Sequence, residues 1–413
     1  MSKFNCMVAQ SGGPTVAINS SLAGVISGAM NNPMYDRVYG SLNGILGILE
    51  DRITDLTKLI EDNSDALNCL KHTPAMYLGS CRYKLPDQSD PQAQKECYDF
   101  IFSQFAKYNI GAFFYIGGND SMDTVMKLSE YGDSINSPVR IIGIPKTIDN
   151  DLMLTDHTPG FGSATKYIAT SLLEIAHDTY IYAVKSVTIV EIMGRDAGWL
   201  TASAALARNS YNSAPHLIYL PESDFNEDEF IEDVKALLST RNNVIIAVSE
   251  GIHDAKGNYI SATEAAADKF GHSQLSGTGK ALEYMVKDRI GVKVRSVEVN
   301  VLQRCAAHLA SMTDLDESFA SGEYGVKCAA EGVTGAMITI NRTSSDSYSV
   351  EYGHALIKNI ANAARSVPRE WINERGNDVT EDMLNYLRPL ILGEVTLKYS
   401  EGLPVYMDVE HLI

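Results

Sequence analysis

The stretch Ala112–Gly132, AFFYIGGNDSMDTVMKLSEYG, decides the fold class. It opens on an apolar, aromatic-rich run of the kind found in strands covered on both faces. Two glycines follow, and then a segment whose apolar residues recur at helical spacing. Strand, glycine turn and helix form the repeating unit of a parallel α/β sheet. Outward from this stretch, NCMVAQ, VRIIGIP, SVTIVEIMG, APHLIYLP, NVIIAVSEG and VRSVEVNVL read as further strands, separated by helix-length segments such as DEFIEDVKALLST. The pattern predicts an α/β fold with doubly wound, mostly parallel sheets. Ligands of such sheets bind beyond the carboxyl ends of the strands, and the polar motifs lie directly after these runs, so the motifs are expected to share one cleft.

With 413 residues, 45% of them hydrophobic, the chain is long enough for two domains. No repeat, low-complexity tract or linker marks a boundary. The segment YGHALIKNIANAARSVPREWI reads as an amphipathic helix leading into irregular chain, suited to packing and oligomer contact. A formal net charge of -18 argues against nucleic acid and anionic membrane surfaces as partners, because both are bound through basic patches that release counterions. No apolar run reaches the roughly 20 residues that span a bilayer. The N-terminal residues enter a strand without a signal-peptide pattern, which predicts a cytoplasmic protein. Cys6, Cys69, Cys81, Cys97, Cys305 and Cys328 show no zinc-ligand spacing and are expected to be reduced thiols in packing roles.

The opening stretch poses a chemical question. Glycine turns that enter helices commonly receive phosphate, yet this one carries Asp120 at its tip. A second such turn, AQSGGPTVAINSSLAGVI, places Gly12 and Gly13 between strand and helix and is compatible with a phosphate cradle or an ordinary tight turn. In IGIPKTIDNDL, Lys146, Thr147, Asp149 and Asp151 follow a strand, with the two aspartates on one face if the segment is extended. Paired carboxylates suit metal binding or general-base work on a hydroxyl, and the lysine suits developing phosphate charge. A solvated Asp- and Asn-rich turn is the plainer alternative. Arg195 in EIMGRDAGWL, Glu250 in AVSEG, and Arg295 and Arg304 in VRSVEVNVLQRCA also follow strands. Each alone suits a structural ion pair; together they describe a pocket for a phosphorylated sugar. Two glycine motifs are set aside. LSGTGKALEY has Gln274 and Ala281 where a Walker A loop needs glycine and Ser or Thr, and GFGSATKY lacks dinucleotide-binding spacing, with Lys166 kept as a cleft candidate.

Taken in order, SGGPTVAIN, YLGSCRY, GGNDS, PKTIDND, MGRDAGWL, SEG and LQR resemble the phosphofructokinase family from residue 3 to about residue 340. The resemblance implies two α/β domains with the active site in the cleft between them. Residues 1–160, rejoined by about 303–352, would bind the phosphoryl donor; residues 161–302, rejoined by 353–413, would bind the sugar phosphate. It implies phosphorylation of the 1-hydroxyl of fructose 6-phosphate with Mg²⁺ as cofactor. By position, Asp149 would be the general base, with Lys146, Thr147 and Asp151 beside it. Met193, Gly194, Arg195 and Glu250 would hold the sugar, and Arg304 its 6-phosphate. Gly12, Gly13, Arg82, Gly118, Asp120 and Ser121 would line the donor, and Asn119, Asp149 and Asp151 would be the metal candidates.

ATP-dependent members read GGDGS and PGTIDND where this chain reads GGNDS and PKTIDND. Asp120 would repel the α-phosphate of ATP, and Lys146 would bind pyrophosphate. This pair resembles the pyrophosphate-dependent branch, whose reaction runs both ways. An ATP-dependent enzyme whose Asp120 swings aside is the second reading, and an inactive regulatory or sugar-phosphate-binding subunit the third. The chain departs from the family pattern at three places. Asn119 replaces an aspartate associated with magnesium. Val301 replaces a His or Tyr at the sugar phosphate. Ser186 replaces an arginine supplied across a subunit interface, leaving Arg295 as the cross-subunit contact, with Lys185 adjoining. A homodimer or homotetramer is expected.

Overall fold

The computed structural model describes residues 3–261, 277–344 and 347–412; Gln274 lies outside the described residues. The strands of its two main sheets are, in chain order, β1 (Phe4–Gln10), β2 (Tyr35–Ser41), β3 (Ile53–Asp55), β4 (Ile110–Gly117), β5 (Arg140–Pro145), β6 (Ser186–Ile192), β7 (Leu217–Tyr219), β8 (Asn243–Ser249), β9 (Lys293–Glu298), β10 (Ala336–Ser344) and β11 (Ser349–Leu356). The larger sheet has the order β11-β10-β5-β4-β1-β2-β3, and the smaller β7-β8-β6-β9. All pairs in the smaller sheet are parallel, and only β11 and β3, at the edges of the larger one, run antiparallel to their neighbours. The fold is therefore α/β with mostly parallel sheets.

The central stretch shows why. Phe114 and Ile116 of β4 point into one core, with Val8, Leu22, Val25, Ile26 and Val326, while Phe113 and Tyr115 point into another, with Met7, Tyr98, Phe105, Met122 and Val125. Alternate residues thus serve opposite faces, each covered by helices. Full burial of one such phenylalanine stabilises by roughly 2 kcal/mol.

Register places the functional loops. Gln10 pairs with Ile116, and Gly117 with Pro145, so β1, β4 and β5 end nearly level. The chain leaving them, at Ser11, Gly118 and Lys146, emerges side by side. In the smaller sheet Ile192 pairs with Ser249, which sets Met193 beside Glu250.

The segment expected to be an amphipathic helix from Tyr352 is not one. Its start is strand β11, where Gly353 pairs with Thr339 of β10. A short 3-10 turn, Ile357–Asn359, follows, and Asn362 then takes a left-handed conformation with φ 63°. Hydrogen bonding to β10 satisfies the backbone that a helix would have satisfied internally, and Ile357 and Ile360 are buried as its apolar spacing suggested. The chain then crosses to the core of the smaller sheet, where Trp371 and Tyr386 pack against Trp199. No helix among the described residues is long and apolar enough to cross a membrane.

Candidate active site

The turn after β1 is held open by glycine and closed by lysine. Gly12 has φ 83°, and a Cβ there would lie 3.0 Å from Lys146 Nζ, so a larger residue would be strained and would crowd the ammonium. Lys146 Nζ donates to the Gly13 carbonyl at 2.7 Å, and the residue is only 2% exposed. Burial pushes its pKa down to about 8, against the pull of Asp149, Asp151 and Asp120. Ser80 Oγ donates to the Gly12 carbonyl at 2.8 Å and ties in the loop that carries Arg82, which is exposed.

Lys146 begins the loop that carries the two carboxylates. Asp149 N–H donates to Thr147 Oγ1 at 3.1 Å, which tightens the turn. Asn150, at φ 56°, donates through Nδ2 to Tyr386 Oη at 2.8 Å, and the Asp151 carbonyl accepts from Arg365 N–H at 2.7 Å. Burial raises the pKa of Asp149, while Arg195, Lys146 and Arg304 pull it back. Asp151 is pushed up to about 7, by burial first and by the Asp149 charge second. Both remain partly exposed at the cleft although protein surrounds them.

The smaller sheet supplies the opposite wall. Glu250 Oε1 accepts from the N–H groups of Gly194 and Arg195, each at 3.2 Å. The loops are so close that a Cβ on Gly251 would lie 1.7 Å from the Arg195 carbonyl oxygen, which excludes any residue but glycine there. Gln303 Oε1 accepts from Met193 N–H at 3.3 Å. Arg304 reaches across, its Nη1 lying 3.3 Å from the position of a Cβ on Gly13. Burial raises Glu250 to about 7, and Asp149 is among the charges that add to the shift. Carboxylates from both sheets, a lysine from the larger and arginines from the smaller thus converge on one cleft.

Residues 5–309 match the phosphofructokinase family model. The chain belongs to the phosphofructokinase family. It is 38% identical to the pyrophosphate–fructose 6-phosphate 1-phosphotransferase of Methylococcus capsulatus, over 99% of this chain and 96% of that one. A protein of the same name from Rhodospirillum rubrum is 41% identical, with 95% of each chain covered. The crystal structure of a pyrophosphate-dependent phosphofructokinase from Marinobacter aquaeolei aligns with a TM-score of 0.86 and 37% identity, covering 98% of this chain and 95% of that one.

Within this family framework the residues expected from sequence sort into three groups. Gly12, Gly13, Lys146, Thr147, Asp149, Asp151, Arg195, Glu250 and Arg304 gather at the cleft, and Asp120 is close enough to act on the Lys146 charge. Gly118 precedes the helix Asn119–Ser134, and Ser121 is buried beneath the turn, its Oγ occupying the space a Cβ on Gly117 would need. Asn119 is turned onto the chain itself: Nδ2 donates to the Ala363 carbonyl at 2.7 Å, and Oδ1 accepts from Asn362 N–H at 2.8 Å.

The third group stands apart. Arg295 is bound to exposed Asp178 and to buried Thr179 and Thr188, a set that shares no residue with the cleft. Val301 is 47% exposed on the short turn before Arg304. Ser186 is buried beside Asn243, and Lys185 donates to the Leu238 carbonyl. Lys166 is engaged by the carbonyls of Ala310 and Gly393 and by Glu394, so it is not a cleft residue. The Walker-like Gly277 and Gly279 amides bind the carboxylate of Glu191, an internal anion. Sequence reasoning missed Ser80, Gln303, Asn150, Tyr386 and Arg365 as supports of the site. Ser80, Gln303 and Asn150 lie inside quoted motifs; Arg365 lies in the segment read as an amphipathic helix, where nothing in the sequence singles it out.

Proposed function

We infer that this enzyme transfers a phosphoryl group reversibly from pyrophosphate to the 1-hydroxyl of fructose 6-phosphate, giving fructose 1,6-bisphosphate and phosphate, a step of glycolysis and gluconeogenesis. The observation that carries the reading is the Lys146 ammonium sealed against the Gly12–Gly13 turn, with Asp120 at the neighbouring helix entrance. A pyrophosphate fits a cradle with a fixed cation, whereas the α-phosphate of ATP would meet the Asp120 carboxylate.

Asp149 is the proposed base. Burial raises its pKa, which brings it nearer to that of the hydroxyl whose proton it must take, and Arg195, Lys146 and Arg304 pull in the opposite direction. Lys146 supports charge on the departing phosphate, and Arg304 the sugar 6-phosphate. Glu250 organises the Met193–Arg195 loop around the sugar. Catalysis is then chiefly positioning and charge stabilisation. Asp149 and Asp151 are oxygen donors whose mutual repulsion a cation would relieve, which fits Mg²⁺ held by one or two carboxylates and by phosphate oxygens. Bound there, Mg²⁺ would neutralise charge on the transferring group.

We also propose the division into a donor-binding part, 1–160 with about 303–352, and a sugar-binding part, 161–302 with 353–413; the membership of the two sheets supports it except at the last boundary, since β11 stays in the larger sheet as far as Leu356. A cytoplasmic homodimer or homotetramer is proposed as well. Exposed Tyr180, Ile181, Tyr182 and Val184 near Arg295 support a subunit contact that would carry Arg295 to a neighbouring site. Steady-state assays with each donor test the function: turnover with pyrophosphate and none with ATP is expected, and turnover with ATP alone would overturn it.

A further inference from the structure

Between Asn362 and Val367 the chain contacts the helix that follows β4, the carboxylate loop and the MGRDAGWL loop. At its start, the Asn119 side chain is bound to the backbone of Asn362 and Ala363, and Asn362 Nδ2 reaches Asp123 at 3.3 Å. This end is fixed to the first turn of the donor-side helix. In the middle, Arg365 N–H donates to the Asp151 carbonyl, Nη2 to the Asn150 carbonyl at 3.1 Å, and Nη1 to the Thr155 carbonyl at 3.1 Å. Arg365 therefore grips the loop that carries Asp149 and Asp151 at three carbonyls. Its guanidinium lies 4.5 Å from the Trp199 ring centre, and its own carbonyl accepts from Trp199 Nε1 at 3.0 Å. At the far end, Val367 N–H donates to Glu222 Oε1, which also accepts from Gly198 N–H in the MGRDAGWL loop.

We propose that this segment is a positioning strap: Arg365 fixes the carboxylate loop relative to both walls, and Asn119 is its donor-side anchor. The chemistry favours a structural grip with kinetic consequences. A planar guanidinium supplies several donors in a fixed geometry, so one side chain sets the spacing of two carbonyls. Asn119 suits the anchor because its amide both donates and accepts; an aspartate could accept from Asn362 N–H but could not donate to the Ala363 carbonyl. The substitution that departs from the family motif at GGNDS thus matches a contact made in this chain. Arg365 lies outside the matched residues 5–309.

The proposal rests on the pyrophosphate-dependent reading, and its test separates the two. The parent enzyme is assayed first; failure with pyrophosphate defeats that reading and leaves the strap to be tested with whichever donor is used. Arg365→Gln, Arg365→Lys and Asn119→Ala are then compared for kcat, KM, Mg²⁺ half-saturation and thermal midpoint. Displacement of a catalytic group by about 1 Å can cost about 100-fold, so a kcat loss of that order is expected for Arg365→Gln, with smaller changes in KM. Arg365→Lys should recover part of it. Asn119→Ala should lower kcat about tenfold without moving the Mg²⁺ half-saturation, and its loss should be less than additive with that of Arg365→Lys. A folded Arg365 variant with parental kcat and a lowered thermal midpoint would overturn the proposal. Should Arg365→Gln not fold, Asn119→Ala and Arg365→Lys decide it: additive effects, or a shifted Mg²⁺ dependence for Asn119→Ala, would contradict the strap.

Discussion

The turns after β1 and β4 begin alike and end in opposite chemistry. Both leave central strands of one sheet, both contain paired glycines, and both enter a helix. After β1, Thr15 Oγ1 accepts from Ala17 and Ile18 N–H to start the helix, which leaves the glycines ahead of it as a cradle with Lys146 at its floor. After β4 the helix starts at once, at Asn119, with Asp120 in its first turn and no side-chain cap. The comparison teaches that the glycine turn alone does not specify a phosphate site; the charge placed on it does. One turn carries a buried cation, the other an exposed anion.

The largest effect should come from removing the cation. Lys146→Met keeps the volume and loses the charge, and kcat/KM for pyrophosphate should fall about 100- to 1,000-fold, as for loss of a preorganised charge stabiliser. The pH profile sharpens this. Because Lys146 is held down at about 8, the parent activity should decline as pH rises past that value while the ammonium is lost. A profile flat to pH 10 would separate Lys146 from the donor.

Making both turns neutral is the next test. Asp120→Gly with Lys146→Gly should lower pyrophosphate use and allow some use of ATP, shifting the ratio of the two by on the order of 100-fold. Unchanged preference would place donor choice elsewhere.

The smallest effect on catalysis should come from a control beyond both turns. His157, buried between Asp156 and Glu317, would be lowered by burial alone, but the two carboxylates override this and raise it to about 9. A group whose folded pKa exceeds its unfolded value near 6.5 contributes stability fully below that value and loses it as pH rises toward 9. The contribution is of order 3 kcal/mol. Thermal midpoints measured from pH 6 to 9.5 should fall more in the parent than in Glu317→Gln, with donor preference unchanged.

Much of the site was legible because it hangs directly on strand ends. The runs at β4, β5, β6 and β8 announce strands, and register brings Lys146, Asp149, Arg195 and Glu250 together without further information. Strand β2, YDRVYGS, carries charged residues near a sheet edge and gave no apolar run. Strand β11 was misread because its apolar residues continue into Ile357 and Ile360 at helical spacing, while the deciding interaction is pairing with β10. Arg365 was invisible for a related reason. Its grip on the carboxylate loop is made to backbone carbonyls, which every residue possesses, so no residue pattern records it. Asn119 was noticed as a departure, but its contact lies across more than two hundred residues of sequence.

The reverse reaction tests the central claim most directly. Purified enzyme given fructose 1,6-bisphosphate, inorganic phosphate and Mg²⁺, with no nucleotide, should form fructose 6-phosphate and pyrophosphate in equal amounts. Formation of fructose 6-phosphate only when ADP is supplied, with ATP as the second product, would contradict it.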